Sequence, residues 1–141
     1  MDDKDHKILT AVQEDARRST REIAQRVKLP ITTVHNRLRR LEGAGVIRGY
    51  HAEVDYGKIG KGVLAYIFLT VDYTKFKNLT QSEIKNKILR TINPEEVYII
   101  TGNFDIMLKM HFRSTRDISN TIEVLRKIEG VDKTQTMIVI E

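Results

Sequence analysis

The chain has 141 residues and no cysteine. That length allows one ordinary domain or two small ones, and the missing thiols exclude disulfides, Cys-ligated metals and a cysteine nucleophile. Net charge is +5, from 24 Lys/Arg against 19 Asp/Glu, so the placement of the excess matters more than its size. Four histidines, His6, His35, His51 and His111, form no pair at metal-ligand spacing, and no cofactor or metal is expected. The longest apolar stretch, Val63 to Val71, is too short to cross a bilayer, and the charged N-terminus lacks a signal-peptide core. A cytoplasmic protein with no membrane partner is the expectation.

In chain order, the spacing of Ile8, Leu9 and Val12 predicts a first helix over Asp3 to Glu14. Ser19-Thr20-Arg21-Glu22 fits a capping box and opens a short second helix, Thr20 to Val27. Only Lys28, Leu29 and Pro30 separate it from a third, whose stripe is Ile31, Val34, Leu38 and Leu41. Gly43 and Gly45 stop that helix, and Val46 to Asp55 reads as two short strands around Gly49.

Two helices across a three-residue turn with a trailing hairpin predict a winged helix-turn-helix. Nine Lys/Arg stand against two acidic residues between positions 17 and 48, a concentration suited to a polyanion. Thr32, Thr33, Asn36, Arg39 and Arg40 point away from the apolar stripe, where arginine and asparagine read base edges and hydroxyls hold phosphates. With Arg18, His35 and the wing residue Arg48 they form the candidate set for double-stranded DNA. The plain alternative is a solvated charged face.

Gly57 to Gly62 reads as a linker, since it lacks the residue order of a phosphate loop. The domains are therefore placed at 1–56 and 63–141, with 57–62 between them. From Val63 the period becomes two: Ala65, Ile67 and Leu69 face one side, Leu64, Tyr66 and Phe68 the other. Thr80 to Glu83 caps a helix carrying Ile84, Ile88 and Leu89. Strands follow over Val97 to Thr101 and Asp105 to Phe112, around a turn at 102–104. Ser114 with Asp117 caps the last helix, Gly130 ends it, and Thr134 to Ile140 is the final strand. The order βαββαβ predicts a ferredoxin-like sheet with both helices on one face. A first strand apolar on both sides leaves Leu64, Tyr66 and Phe68 as a surface for self-association, unless an irregular loop covers it.

The chain resembles the Lrp/AsnC family of transcription regulators. The likeness rests on D-x-x-D-x-x-I-L at 2–9, D-A-R at 15–17, E-I-A at 22–24 and R-L-R-R-L-E-x-x-G-V-I-x-G-Y at 37–50. T-G-N-F-D at 101–105 and E-G-V-x-x-T-x-T at 129–136 add to it. Lys28 and Pro30 depart from the glycine and serine that the family often has there. The resemblance implies an α+β protein that dimerises through its C-terminal sheets, often assembles to octamers, and binds an amino acid or related metabolite between dimers. Carried over, the effector site is Thr101, Gly102, Asn103, Phe104 and Asp105, with Thr134 and Thr136. Gly102 permits a tight turn whose N–H groups meet a carboxylate, and Asp105 suits an ammonium group. A purely structural hairpin turn would use the same residues.

The leading expectation is a ligand-responsive, sequence-specific DNA-binding regulator. An architectural DNA-binding protein needs the same basic helix. An enzyme, such as the tetrapyrrole decarboxylases of similar architecture, finds no nucleophile motif here, because Ser19 and Ser114 are explained as caps. The RNA-recognition sheet shares the strand order, but Ile106 to Phe112 lacks the matching aromatics.

Overall fold

The computed structural model describes residues 1–75 and 78–140. The chain divides into two units, Met1–Val54 and Asp55–Glu141. Among the described residues no helix is long and apolar enough to cross a membrane.

The first unit contains α1 (Asp3–Glu14), α2 (Thr20–Val27) and α3 (Ile31–Gly43). Ile8, Ala11, Val12, Ile23, Ala24, Val34, Leu38 and Leu41 form its core, so each helix contributes one stripe. The expected capping box of α2 is present: the Glu22 N–H donates to Ser19 Oγ at 3.3 Å, and the Ser19 N–H to Glu22 Oε2 at 2.7 Å. A second box, absent from the sequence reading, opens α1 through Asp2 and Asp5. Lys28 ends α2 in the left-handed region, φ 56°, a conformation that glycine adopts most easily.

The paired strands expected over Val46 to Asp55 do not form; the segment carries no strand. The N–H groups of Val46 and Ile47 both donate to the Leu41 carbonyl, at 2.9 and 3.1 Å, completing the end of α3 instead of a ladder. Residues 48–54 are exposed throughout, and an isolated hairpin with no apolar face to bury is marginal in water.

The second unit contains β1 (Val63–Val71), α4 (Gln81–Ile92), β2 (Glu96–Ile99), β3 (Ile106–Phe112), α5 (Thr115–Arg126) and β4 (Val131–Ile138). The sheet order is β2-β3-β1-β4, with antiparallel pairing throughout. The strand boundaries shift from expectation chiefly in β4, which begins three residues before Thr134 because Val131 pairs with Val71. Ala65, Ile67, Leu69, Ile106 and Leu108 turn one face of the sheet to Ile84 and Ile88 of α4 and to Ile118 and Leu125 of α5.

Gly130 sits where α5 turns back into β4, with φ 96°. A Cβ there would lie 2.8 Å from Cδ1 of the fully buried Ile84 and 3.1 Å from Leu79 Cδ1. Gly130→Ala is therefore expected to destabilise the second unit by about 2 kcal/mol, from backbone strain and overpacking together. Chemical denaturation of the variant beside wild type measures this.

Candidate functional site

The outward side of α3 carries the polar residues that its stripe leaves free. Thr32, His35, Asn36, Arg39 and Arg40 are exposed, and Thr33 is half-buried. His35 and Arg39 line one flank of α3, where a surface cavity of about 290 Å³ also takes in Arg18, Thr20, Glu42 and Tyr50. The fold thus brings Arg18, His35 and Arg39 together beside the start of α2. Arg18 is partly committed, since its Nη1 donates to the Ala11 carbonyl at 2.7 Å and to Glu14 at 3.1 Å, closing the last turn of α1. Tyr50 donates to Glu42 Oε1 at 2.7 Å, tying the segment after α3 back to that helix. Burial and then the Glu42 carboxylate push the Tyr50 phenol up to about 12, so it stays a neutral donor. Arg48 is exposed on the unpaired segment, with no regular strand to fix it.

The other flank of α3 faces α1. Asp5 of α1 is fully inaccessible to solvent, the one buried charged residue among those described. Its Oδ1 accepts from Arg37 and from Arg40, each at 2.8 Å, and its Oδ2 accepts again from Arg40 at 2.7 Å. Arg37 also donates to both oxygens of Asp2, at 2.7 and 2.8 Å. Arg40, expected among the outward residues, therefore reaches sideways to a carboxylate on another helix. The Asp5 N–H and then Arg37 hold the Asp2 carboxyl down at about 2. Hydrogen bonding from Arg37 and from the Asp2 N–H lowers Asp5.

In the second unit the turn 101–105 joins β2 to β3. Thr101, Gly102 and Asn103 are exposed at its tip, and Gly102 has φ 119°. The base of the turn is closed by Ile100 N–H to the Asp105 carbonyl and Asp105 N–H to the Leu69 carbonyl, both 2.9 Å. The Asp105 carboxylate accepts from the Val71 N–H at 2.8 Å, and from the Tyr73 hydroxyl and Gln81 Nε2 at 2.9 Å each. It is thus already supplied with three donors by its own unit.

Thr134 and Thr136 lie on β4, opposite Leu69 and Ile67, and so project to the helix-covered side. Thr134 Oγ1 accepts from Arg126 of α5 at 3.2 Å. The turn meets β1 from the β3 side, about 10 Å from β4 by two strand spacings. Asp105 at the base of the turn and Thr134 flank Leu69 from opposite sides, with β1 between them.

The sheet face away from α4 and α5 holds Leu64, Tyr66 and Phe68, flanked by His111, Lys109 and Met107 of β3 and by Met137 of β4. The three β1 residues are half-buried rather than fully exposed, because same-face neighbours crowd them. Phe104 of the turn packs on Phe68, ring centroids 5.2 Å apart, so turn and face are in contact. At the other end of the face Tyr56 stacks on His111 at 3.9 Å, and His111 Nδ1 lies 2.7 Å from Glu95 Oε2. Sequence reading missed the Asp5, Tyr50 and Tyr56 contacts. The Asp2-to-Asp5 spacing, which repeats the Ser19-to-Glu22 interval, was the available signal for the first.

Comparison with known proteins places these features. Residues 1–48 match the winged helix-turn-helix DNA-binding family, and residues 65–141 match the Lrp/AsnC ligand binding domain. The chain belongs to the Lrp/AsnC family. Its relatives include an HTH-type transcriptional regulator of Pyrococcus furiosus, 35% identical across 100% of this chain and 92% of the relative. The regulator FL11 of the same organism is 33% identical across 100% of this chain and 90% of its own. Among solved structures, LrpC of B. subtilis has a TM-score of 0.86 at 29% identity, covering 100% of this chain and 95% of that one. A Neisseria meningitidis transcriptional regulator in complex with L-Met has a TM-score of 0.88 at 26% identity, covering 100% and 90%. The family consists of DNA-binding transcription regulators, and the architecture described above is the family's: a helix-turn-helix unit followed by an α+β unit with a four-stranded antiparallel sheet.

Two predictions follow from the site's bonding. Asp2 and Asp5 have folded-state values below the unfolded one, so the stability they confer is complete above about pH 4 and is lost as pH falls toward 2. An acid titration of the helical signal at fixed mild denaturant should show that loss, and Arg37→Ala should flatten it. In the second unit, Asp105→Ala should cost about 2 kcal/mol with no ligand added, because the Val71 N–H and Gln81 amide lose their acceptor. An effector-only role for Asp105 would leave ligand-free stability unchanged in the same denaturation experiment.

Proposed function

We propose that this regulator reads a specific duplex sequence through the outward side of α3 and responds to an amino acid, or a closely related metabolite, held at the turn 101–105. Thr32, Asn36 and Arg39 supply base contacts. His35 and Arg18 hold phosphates beside the cavity, Thr33 holds one from elsewhere on α3, and Arg48 adds a contact from the segment after that helix. The observation that carries the reading is Arg39, an exposed arginine with no ion pair among the described residues, set on a helix that matches a DNA-binding family. One guanidinium presents two N–H donors at fixed spacing, which is what bidentate base reading requires.

The L-Met bound by the Neisseria regulator supports the amino-acid class of ligand. The exposed tip Thr101-Gly102-Asn103 offers backbone N–H groups to a carboxylate. With Asp105 engaged by its own unit, the ligand's ammonium group is met by residues of a second copy, which fits a site between dimers. The dimer forms through the face of Leu64, Tyr66 and Phe68, and dimers assemble further to octamers. The Phe104–Phe68 contact lets occupancy of the turn bear on that face. The protein works in the cytoplasm without enzymatic activity.

The test is binding of the full chain to labelled DNA from its own upstream region, in a salt series with excess nonspecific competitor. Wild type should form a competitor-resistant complex. Arg39→Ala should lose about 1–3 kcal/mol of affinity and lower the salt slope by about 1. Calorimetry against an amino-acid panel that includes L-Met, with sedimentation of the mixtures, should show binding and a change in assembly. A complex that competitor abolishes and that ignores Arg39→Ala would favour an architectural role instead.

A further inference from the structure

Of the three arginines on α3, Arg37, Arg39 and Arg40, two are already occupied. Arg37 and Arg40 converge on Asp5 from the same flank of α3, and Arg37 reaches Asp2 as well. Two guanidiniums facing two carboxylates make a neutral cluster. Such a cluster adds nothing to the charge that a duplex meets at long range, however exposed the rim of Arg40 is. Arg39, one residue from Arg40 but on the opposite flank, has no such partner among the described residues. The same three bonds to Asp5 fix α3 against α1 in rotation and along its axis, since a buried carboxylate tolerates neither a missing donor nor a shifted one.

We propose that Asp5 is a positioning residue for sequence reading: it withholds Arg37 and Arg40 from the phosphate backbone and sets the presentation of Arg39 and Asn36. This rests on the DNA-reading role of α3 proposed above and adds a division of labour within it. The chain forgoes nonspecific affinity from two arginines and gains a fixed recognition surface. Nonspecific binding rises with the number of cations free to displace counterions, whereas specific binding depends on where the base-reading groups stand. Removing the carboxylate should therefore move the two affinities in opposite directions. A residue that merely stabilised the fold would move them together.

The experiment is fluorescence anisotropy of the full chain on two duplexes, its upstream site and a scrambled version, between about 50 and 200 mM salt, the range over which phosphate contacts show. Wild type, Asp5→Asn, Arg40→Gln and Arg39→Ala are compared, with circular dichroism as the folding control. Asp5→Asn should bind the scrambled duplex several-fold tighter, with a salt slope steeper by about 1, and bind the upstream site more weakly. Arg40→Gln should leave the salt slope on both duplexes unchanged, and Arg39→Ala should reduce it. If Asp5→Asn does not fold, the Arg40→Gln and Arg39→Ala pair decides the matter on its own. Equal loss of slope in those two variants, or parallel weakening of both duplexes by Asp5→Asn, would overturn the proposal while leaving the DNA-reading role intact. A wild type that binds neither duplex would remove both.

Discussion

A single buried carboxylate organises the helix-turn-helix unit. Asp5 is inaccessible to solvent and accepts from two arginines of α3, while its partner Asp2 caps α1 and shares one of them. A buried ion pair of this kind adds little stability over an apolar contact of similar size, because desolvation offsets the attraction. What it adds is register: α3 cannot rotate or slide on α1 without stranding a charge. The core of Ile8, Val12, Val34 and Leu38 is apolar and would tolerate small shifts, so orientation comes from the polar contacts around it. Ser19 with Glu22, Arg18 with the end of α1, and Tyr50 with Glu42 act in the same way at the other joints.

The second unit is governed by a strand that is apolar on both faces. Ala65, Ile67 and Leu69 are buried under α4 and α5, which satisfies one side of β1 completely. Leu64, Tyr66 and Phe68 stay half-buried on the other, among Met107, Met137 and the stacked Tyr56–His111 pair. A sheet with only one face covered by helices keeps an apolar side for association. The turn 101–105 touches both regions, because Asp105 is anchored to β1 on the core side and Phe104 rests on Phe68 on the open side. A ligand at the turn would therefore act on a segment already in contact with the face through which copies would pair.

Much of this was legible in the sequence, and most of what was not lies in contacts between distant segments. Helix limits, the capping boxes of Ser19 and Thr80, the order of strands and the two faces of β1 all follow from local periodicity and cap chemistry. Local rules do not reach contacts between distant segments. A helical wheel directs Arg40 outward, yet a long side chain can lean to a carboxylate 35 positions earlier. Asp105 looked available for an ammonium group because Val71, Tyr73 and Gln81, its donors, lie 24 to 34 positions away. The helix-turn-helix was read correctly, but the two short strands expected over Val46 to Asp55 are not formed, because the carbonyl of Leu41 accepts from the first two donors of that segment. Thr134 and Thr136 stand opposite Leu69 and Ile67 on the helix-covered side, a placement that only the register of β4 defines.

The central claim is a division of α3 into a flank that is held and a side that reads. It is tested most directly by a structure of the full chain bound to its selected DNA site at a resolution that places side chains. Arg39 and Asn36 should lie within hydrogen-bond distance of base edges, with Arg37 and Arg40 still on Asp5. Arg40 on a base or phosphate, with Asp5 left to Arg37 alone, would contradict it.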